Sequence, residues 1–394
     1  MNCYKNLGDI KQTLYQGPGA IKAIPEICIR EGWKKIMIVA DPFIAEGDMI
    51  KPFKAMLEEA GIAYCVFSHI RSNPEAKTAE EEAFPMFKQF GAQALLAIGG
   101  GSAMDTAKGV SLMGDSGMTI KECTNAITPF SKVTWKTYPV IAVPTTSGTG
   151  SECTKAAVIC DENDLKMVPI NDCLLAAYAV DDPELLATLP RHVAAATAMD
   201  TLVQAAEIFV GRGVGDLAWT LSRRALELLG QSLRGYVDNP AAIEYADKVS
   251  LACMYAGIAW QMYVPTQIHG GCHCLTENYH ISHGDSCAVL FPAWVKINGY
   301  AAEGLYHEMY NLLFPQKACQ TGFEPDMLVK ELVELNRYFN IMGGKTLREW
   351  GCSEEAIDGS LLQYMIIFPS CPCATTMDTV KKMYKMALDG YKEY

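Results

Sequence analysis

The stretch Ala94-Leu-Leu-Ala-Ile98 carries no polar side chain and runs straight into Gly99-Gly100-Gly101-Ser102. An apolar run this short, bounded by turn residues, reads as a strand covered on both faces. The same unit recurs. Lys35-Ile-Met-Ile-Val-Ala40 ends in Asp41-Pro42, Ala63-Tyr-Cys-Val-Phe67 follows, and Pro139-Val-Ile-Ala-Val143 ends in Pro144-Thr-Thr-Ser-Gly-Thr-Gly150. Residues 48–60 and 75–90 between them have helical spacing, the first starting near Pro52, and a helix is expected from about Ala103. Buried strands alternating with helices predict a parallel sheet wrapped by helices.

After Pro190 the pattern changes. Helical spacing dominates over 192–210, 215–236, 240–262, 325–340 and 376–390, and β-branched runs become rare. A chain of 394 residues exceeds one ordinary core. Two domains are therefore expected: residues 1–188 as a nucleotide-binding α/β domain with a parallel sheet, and residues 189–394 as an all-helical domain for metal and substrate. No internal repeat is visible.

A formal net charge of −12 disfavours nucleic acid and anionic membrane surfaces, since both reward clustered Lys and Arg. No uncharged apolar run has the length of a bilayer span. The N-terminus, Met1-Asn-Cys-Tyr-Lys-Asn6, lacks the pattern of a secretory signal. Fifteen scattered cysteines without export imply reduced thiols and a cytoplasmic protein facing small molecules.

Three glycines at a strand end let a backbone approach a pyrophosphate closely, and the helix that follows offers unpaired N–H groups and a partial positive charge. Ser102 can cap that helix or bond a phosphate oxygen. The loop is not the G-x-G-x-x-G fingerprint, and a plain strand-to-helix turn would use the same glycines. The second loop, 144–152, is rich in hydroxyls and also ends a strand. Ligands of open α/β sheets bind outside the carboxyl ends of the strands, so both loops can line one crevice. Asp41 ends a third strand. A carboxylate there can bond a ribose diol and repel a 2′-phosphate, which favours NAD over NADP; a simple Asp-Pro turn is the alternative.

Four of the seven histidines fall within fifteen residues: His269, His273, His280 and His283. Clustered imidazoles in a chain otherwise poor in them suggest a metal or an acid–base site. His269 and His273 share a helix face if the segment is helical, although Gly270 and Gly271 weaken that expectation. Upstream, Asp200, Gln204 and Glu207 share one face of an apolar helical pattern. A buried Asp needs a partner, either a metal or an arginine such as Arg223. Carboxylate and imidazole donors suit Fe(II) or Zn(II) without deciding between them. The spacings of Cys272 and Cys274, and of Cys371 and Cys373, match no usual zinc module, so these read as packed thiols.

These segments together resemble the iron-containing (group III) alcohol dehydrogenases: GGGSAMDTAK at 99–108, PTTSGTGSE at 144–152, DDPELLATLP at 181–190, ATAMDTLVQAAE at 196–207, and His269-x13-His283 followed by Gly284. The resemblance runs from about Gly19 to the end of the chain. It implies the fold shared with dehydroquinate synthase, with the active site in the cleft between an α/β and a helical domain. It also implies a homodimer or higher homo-oligomer.

The resemblance further implies a cofactor site of Asp41, Gly99, Gly100, Gly101, Ser102, Asp105, Thr145, Thr146, Thr149 and Lys166 for NAD(H). Lys108 would support the loop. Asp200, Gln204, His269 and His283 would hold the metal, Fe(II) with Zn(II) as the alternative. Gln204 departs from the family, which places a histidine there; an amide oxygen is a weaker donor. His273 matches a non-ligand histidine near the substrate and is the candidate proton relay; His280 either supports the site from outside the ligands or is merely packed. Tyr263, Lys155, Phe209 and Cys272 are candidates for shaping the pocket. The implied activity is hydride transfer between NAD(H) and a small alcohol or aldehyde. The alternative within the fold is a metal-independent reductase of a small acidic or functionalised aldehyde, of the sulfoacetaldehyde kind. A dehydroquinate-synthase-like lyase and a non-catalytic nucleotide-binding module are the remaining rivals.

Overall fold

The described strands are, in chain order, β1 (Thr13–Gln16), β2 (Lys35–Ala40), β3 (Ala63–Phe67), β4 (Ala94–Gly99), β5 (Val140–Pro144), β6 (Ile159–Cys160), β7 (Lys166–Met167) and β8 (Tyr178–Asp181). They come from a computed structural model that describes residues 10–263, 267–357, 371–373 and 376–394. The N-terminal stretch read as free of a secretory signal lies outside these residues. Six strands form one all-parallel sheet in the order β1-β8-β5-β4-β2-β3, while β6 and β7 make a short antiparallel ribbon.

The pleat explains why the central strands are apolar throughout. Ile36, Ile38, Ala94, Leu96 and Ile98 enter one buried cluster, and Met37, Val39, Leu95 and Ala97 enter another. Successive side chains point to opposite faces, and both faces are covered. The four anticipated strands are present. The sequence reading did not anticipate β1 and β8. Each has four residues, and Thr13 pairs with Tyr178 across a long stretch of chain, so local periodicity carries little signal for either.

Contacts divide the chain into two compact units, Asp9–Ala187 and one containing Thr188–Tyr394. The described secondary structure of Thr188–Tyr394 is helical. At its centre Arg191–Phe209 is buried along most of its length and packs against Asp216–Asp238, Ile243–Met262 and His283–Asn298. Gln267–Tyr279 is helical despite Gly270 and Gly271. Burial of Ile268, Cys272 and Leu275 outweighs the glycines' poor propensity. The described cysteines are all free thiols. Among the described residues no helix is long and apolar enough to cross a membrane.

Candidate cofactor loops and metal centre

In the α/β unit the strand order reverses between β2 and β4: β3 lies to one side of β2, and the chain then crosses to the other. This is the switch point at which open sheets leave a crevice beyond their strand ends. Asp41 follows β2, and Gly99–Ser102 ends β4 and opens the helix Gly101–Met113. The first turn of that helix holds no acidic residue, so its positive end is not neutralised locally.

Gly99 has φ 155°, and a Cβ there would lie 2.7 Å from the Cβ of Ala103 and 3.5 Å from Asp41 Oδ2. Only glycine fits this approach. The Thr145 N–H donates to the Gly99 carbonyl at 3.0 Å. Cβ atoms at Gly100 and Gly101 would meet Thr146 and Thr149 at 3.4 and 3.1 Å. Asp41, the three glycines and the three threonines are thus neighbours. One oxygen of Asp41 caps the helix Pro42–Glu46 by accepting from Ile44 N at 3.1 Å.

Asp105 faces inward. Its oxygens accept from Ser151 Oγ at 2.8 Å and from the Val158 N–H at 3.0 Å. The buried Lys108 ammonium donates to the carbonyls of Ser151, Thr154 and Ala156 at 2.7–2.9 Å. The helix after the glycine loop is thereby fastened to the loop after β5. Both carboxylate oxygens of Asp105 are thus engaged by the segment after β5. Lys166 begins β7, half-buried in the ribbon beside β6.

In the helical unit three helices supply one cluster. Asp200 lies on Arg191–Phe209, His269 on Gln267–Tyr279, and His283 and Cys287 on His283–Asn298. One donor atom from each lies within 4.8 Å of all the others. Asp200 Oδ1 is 3.2 Å from His269 Nε2 and 3.6 Å from His283 Nε2. Cys287 Sγ is 3.9 Å from the same nitrogen of His283.

Both rings are held from behind. Glu207, two helical turns beyond Asp200, accepts from Ile268 N at 2.7 Å and pairs with His269 Nδ1. Cys272 Sγ lies 3.3 Å from His283 Nδ1. With Nδ1 engaged outward, each ring turns Nε2 toward Asp200, as metal-binding imidazoles are commonly oriented. Burial opposes charge on the His269 ring, but hydrogen bonds to Asp200 and Glu207 hold its pKa well above the ordinary value. Burial likewise opposes charge on His283, and Cys272 and Asp200 raise it. The pocket therefore favours positive charge. Burial and the adjacent Cys272 push the Cys287 thiol well above the usual thiol range.

The donors fit a divalent cation. Two bonds of about 2.0–2.3 Å in a tetrahedron set donors roughly 3.3–3.8 Å apart, close to the spacings here. Three expected ligands, Asp200, His269 and His283, come together. Gln204 is buried one helical turn after Asp200. The arginine weighed as an alternative partner of Asp200 is engaged elsewhere, since Arg223 pairs with Glu308. Two sulfurs join the site, one of them beyond what the sequence pointed to. Cys272, read as packed, touches His283, and Cys287 was not singled out, although it lies one turn beyond His283. His273 stands one turn after His269, its ring centroid 6.4 Å from that of His283. His280 is exposed, with φ 53°, just after the helix Gln267–Tyr279. It ends that helix and does not join the cluster.

Residues 11–183 match the family described as iron-containing alcohol dehydrogenase, and residues 194–388 match the C-terminal region of the same family. The chain belongs to the iron-containing alcohol dehydrogenase family. Within that family it is 30% identical over 344 residues to the NAD-dependent methanol dehydrogenase of Bacillus methanolicus, covering 87% of this chain and 88% of the relative. It is 28% identical over 291 residues to the lactaldehyde reductase of Escherichia coli K12, covering 73% and 75%. The solved alcohol dehydrogenase from Oenococcus oeni superposes with TM-score 0.86 at 28% identity, covering 95% of this chain and 98% of that one. The NAD+ complex of the sulfoacetaldehyde reductase from Bifidobacterium kashiwanohense shares the fold, with TM-score 0.84 at 24% identity and coverage of 96% and 98%.

Proposed function

We propose that this chain is a metal-dependent alcohol dehydrogenase or aldehyde reductase that passes hydride between NAD(H) and a small alcohol or aldehyde. The observation that carries the reading is the convergence of His269 Nε2 and His283 Nε2 on Asp200 Oδ1, with Glu207 and Cys272 behind the rings. Family membership and the NAD-dependent relative support it.

Asp200, His269 and His283 would hold Fe(II) or Zn(II), and Gln204, one helical turn after Asp200, would add a neutral amide oxygen. Bound there, the metal supplies Lewis-acid polarisation of a substrate C–O bond. The nicotinamide supplies or accepts the hydride. The backbone of Gly99–Gly101 and the helix N-terminus would bind the pyrophosphate, with Ser102, Thr145, Thr146, Thr149 and Lys166 around the cofactor. Asp105 would act through the loop it positions. Asp41, with its second oxygen turned to Gly99, would bond the ribose diol. His273 directs Nδ1 toward Glu277 at 3.6 Å. Its Nε2 would take the hydroxyl proton in oxidation and return it in reduction.

A panel of small aldehydes with NADH or NADPH, after chelation and after adding back Fe(II) or Zn(II), tests the reading. Turnover should prefer NADH, fall on chelation and return with metal. His269→Ala should lose metal and turnover together. Full turnover after chelation would select the metal-independent reductase, and acidic aldehydes in the panel would then be the expected substrates. Failure to oxidise NADH with any aldehyde would revive a non-catalytic module.

A further inference from the structure

We infer that Cys287 is a fourth protein donor to the metal, binding as a thiolate beside Asp200, His269 and His283 and favouring Zn(II) relative to Fe(II). The inference rests on the metal reading above and adds a donor to it.

Cys287 is fully buried, and it follows His283 by four residues on one helix, so both side chains leave the same face. Its sulfur is 3.9 Å from His283 Nε2, the nitrogen that also faces Asp200. The other two donors, Asp200 and His269, come from two other helices, and all four donor atoms lie within 4.8 Å of one another. A contraction of about 1 Å or less brings them to the spacing of a four-coordinate site.

The His283 ring meets the two thiols at different nitrogens, and the two thiols also hydrogen-bond each other. Cys272 lies at Nδ1, 3.3 Å away, and Cys287 lies at Nε2. The two ring nitrogens point in divergent directions. A cation bound to Nε2 therefore has Cys287 at the nitrogen it binds and Cys272 at the other one. Cys272 orients the imidazole, and Cys287 reaches the metal.

A coordinating thiol loses its proton outright. The S–H bond breaks, the proton leaves to solvent, and sulfur donates its electron pair to the divalent ion, which keeps its oxidation state. Thiolate is a soft donor, suited to Zn(II) more than an all-oxygen and imidazole set would be.

Cobalt provides the test. The full-length protein is stripped by chelation and reloaded with Co(II), bound metal is counted by elemental analysis, and the near-ultraviolet absorption is recorded. A sulfur-to-cobalt charge-transfer band is expected in the wild type and in Cys272→Ser, and not in Cys287→Ser. Cys287→Ser should also weaken Zn(II) by more than about tenfold, with a smaller loss for Fe(II). Bound Co(II) without the band in the wild type overturns the inference, as does a band that survives Cys287→Ser. If neither Cys287→Ser nor Cys287→Ala folds, Cys272→Ser decides: loss of the band there assigns the sulfur to Cys272 and overturns the inference. A folded wild type that binds NADH but takes up no Co(II) overturns the metal reading itself, a distinguishable failure.

Discussion

The backbone of Gly284 lies against the carbonyl of Ala196: a Cβ at Gly284 would come 1.9 Å from that oxygen. Gly284 follows His283, and Ala196 lies one helical turn before Asp200. The contact therefore sets how closely the helix carrying His283 and Cys287 approaches the helix carrying Asp200. Gly284→Ala should force the helices apart, destabilise the fold by about 1–3 kcal/mol and weaken metal binding. Denaturant unfolding and a metal titration read the two effects. A variant matching the wild type in both would show that the approach does not hold the cluster.

Glu207 should matter through His269. Glu207→Gln keeps size and an acceptor for the Ile268 N–H but removes the negative charge behind the ring. Metal affinity should fall about 10–100-fold while NADH binding is unchanged. Undiminished metal affinity would make Glu207 a helix cap and nothing more.

Asp41→Asn separates the two duties of that side chain. Asparagine caps a helix as well as aspartate does, so the turn after β2 should stand. The charge opposing a 2′-phosphate is lost. The preference for NADH over NADPH in kcat/KM should shrink by about tenfold or more, a change of ~1.4 kcal/mol. An unchanged ratio would move the ribose contact to another residue.

Glu152 is buried at the end of the threonine loop, and burial pushes its pKa up to about 7, against its backbone hydrogen bond and Lys108. Burial and Glu152 also raise Asp181 well above the usual carboxylate range. The folded protein thus binds the Glu152 proton more tightly than the unfolded chain. The resulting stability is complete below the unfolded value of 4.5 and is lost as pH rises through about 7. Glu152→Gln cannot ionise, so its stability should decline less than that of the wild type between about pH 5 and about pH 8. Urea unfolding at both ends measures the difference, and parallel declines would show that Glu152 does not contribute this term.

Much of the fold was legible because its signals are local. An apolar run such as Ala94–Ile98 reports burial on both faces, and the glycines after it report a backbone that must pass close to something. Gly99, whose Cβ would collide with Ala103, is where that signal has its clearest physical cause. Strands β1 and β8 were not legible, because four residues paired with a distant segment leave no periodic trace. At the site, Asp200 and the two histidines stood out by residue type and grouping. Glu207 was visible on the face of Asp200, but its partner was not. Cys287 looked like any other of the fifteen cysteines.

Composition and periodicity alone determined that strands and helices alternate, that a helical region follows, and that glycine and hydroxyl loops end strands. The tertiary structure alone decided that β2 and β4 are neighbours at the switch point, bringing Asp41 to Gly99. It alone placed Cys272 at Nδ1 of His283 and Cys287 at Nε2. The physical reason is the same in both cases. Periodicity fixes which face of an element is apolar, but packing between elements distant in sequence determines which side chains share that face.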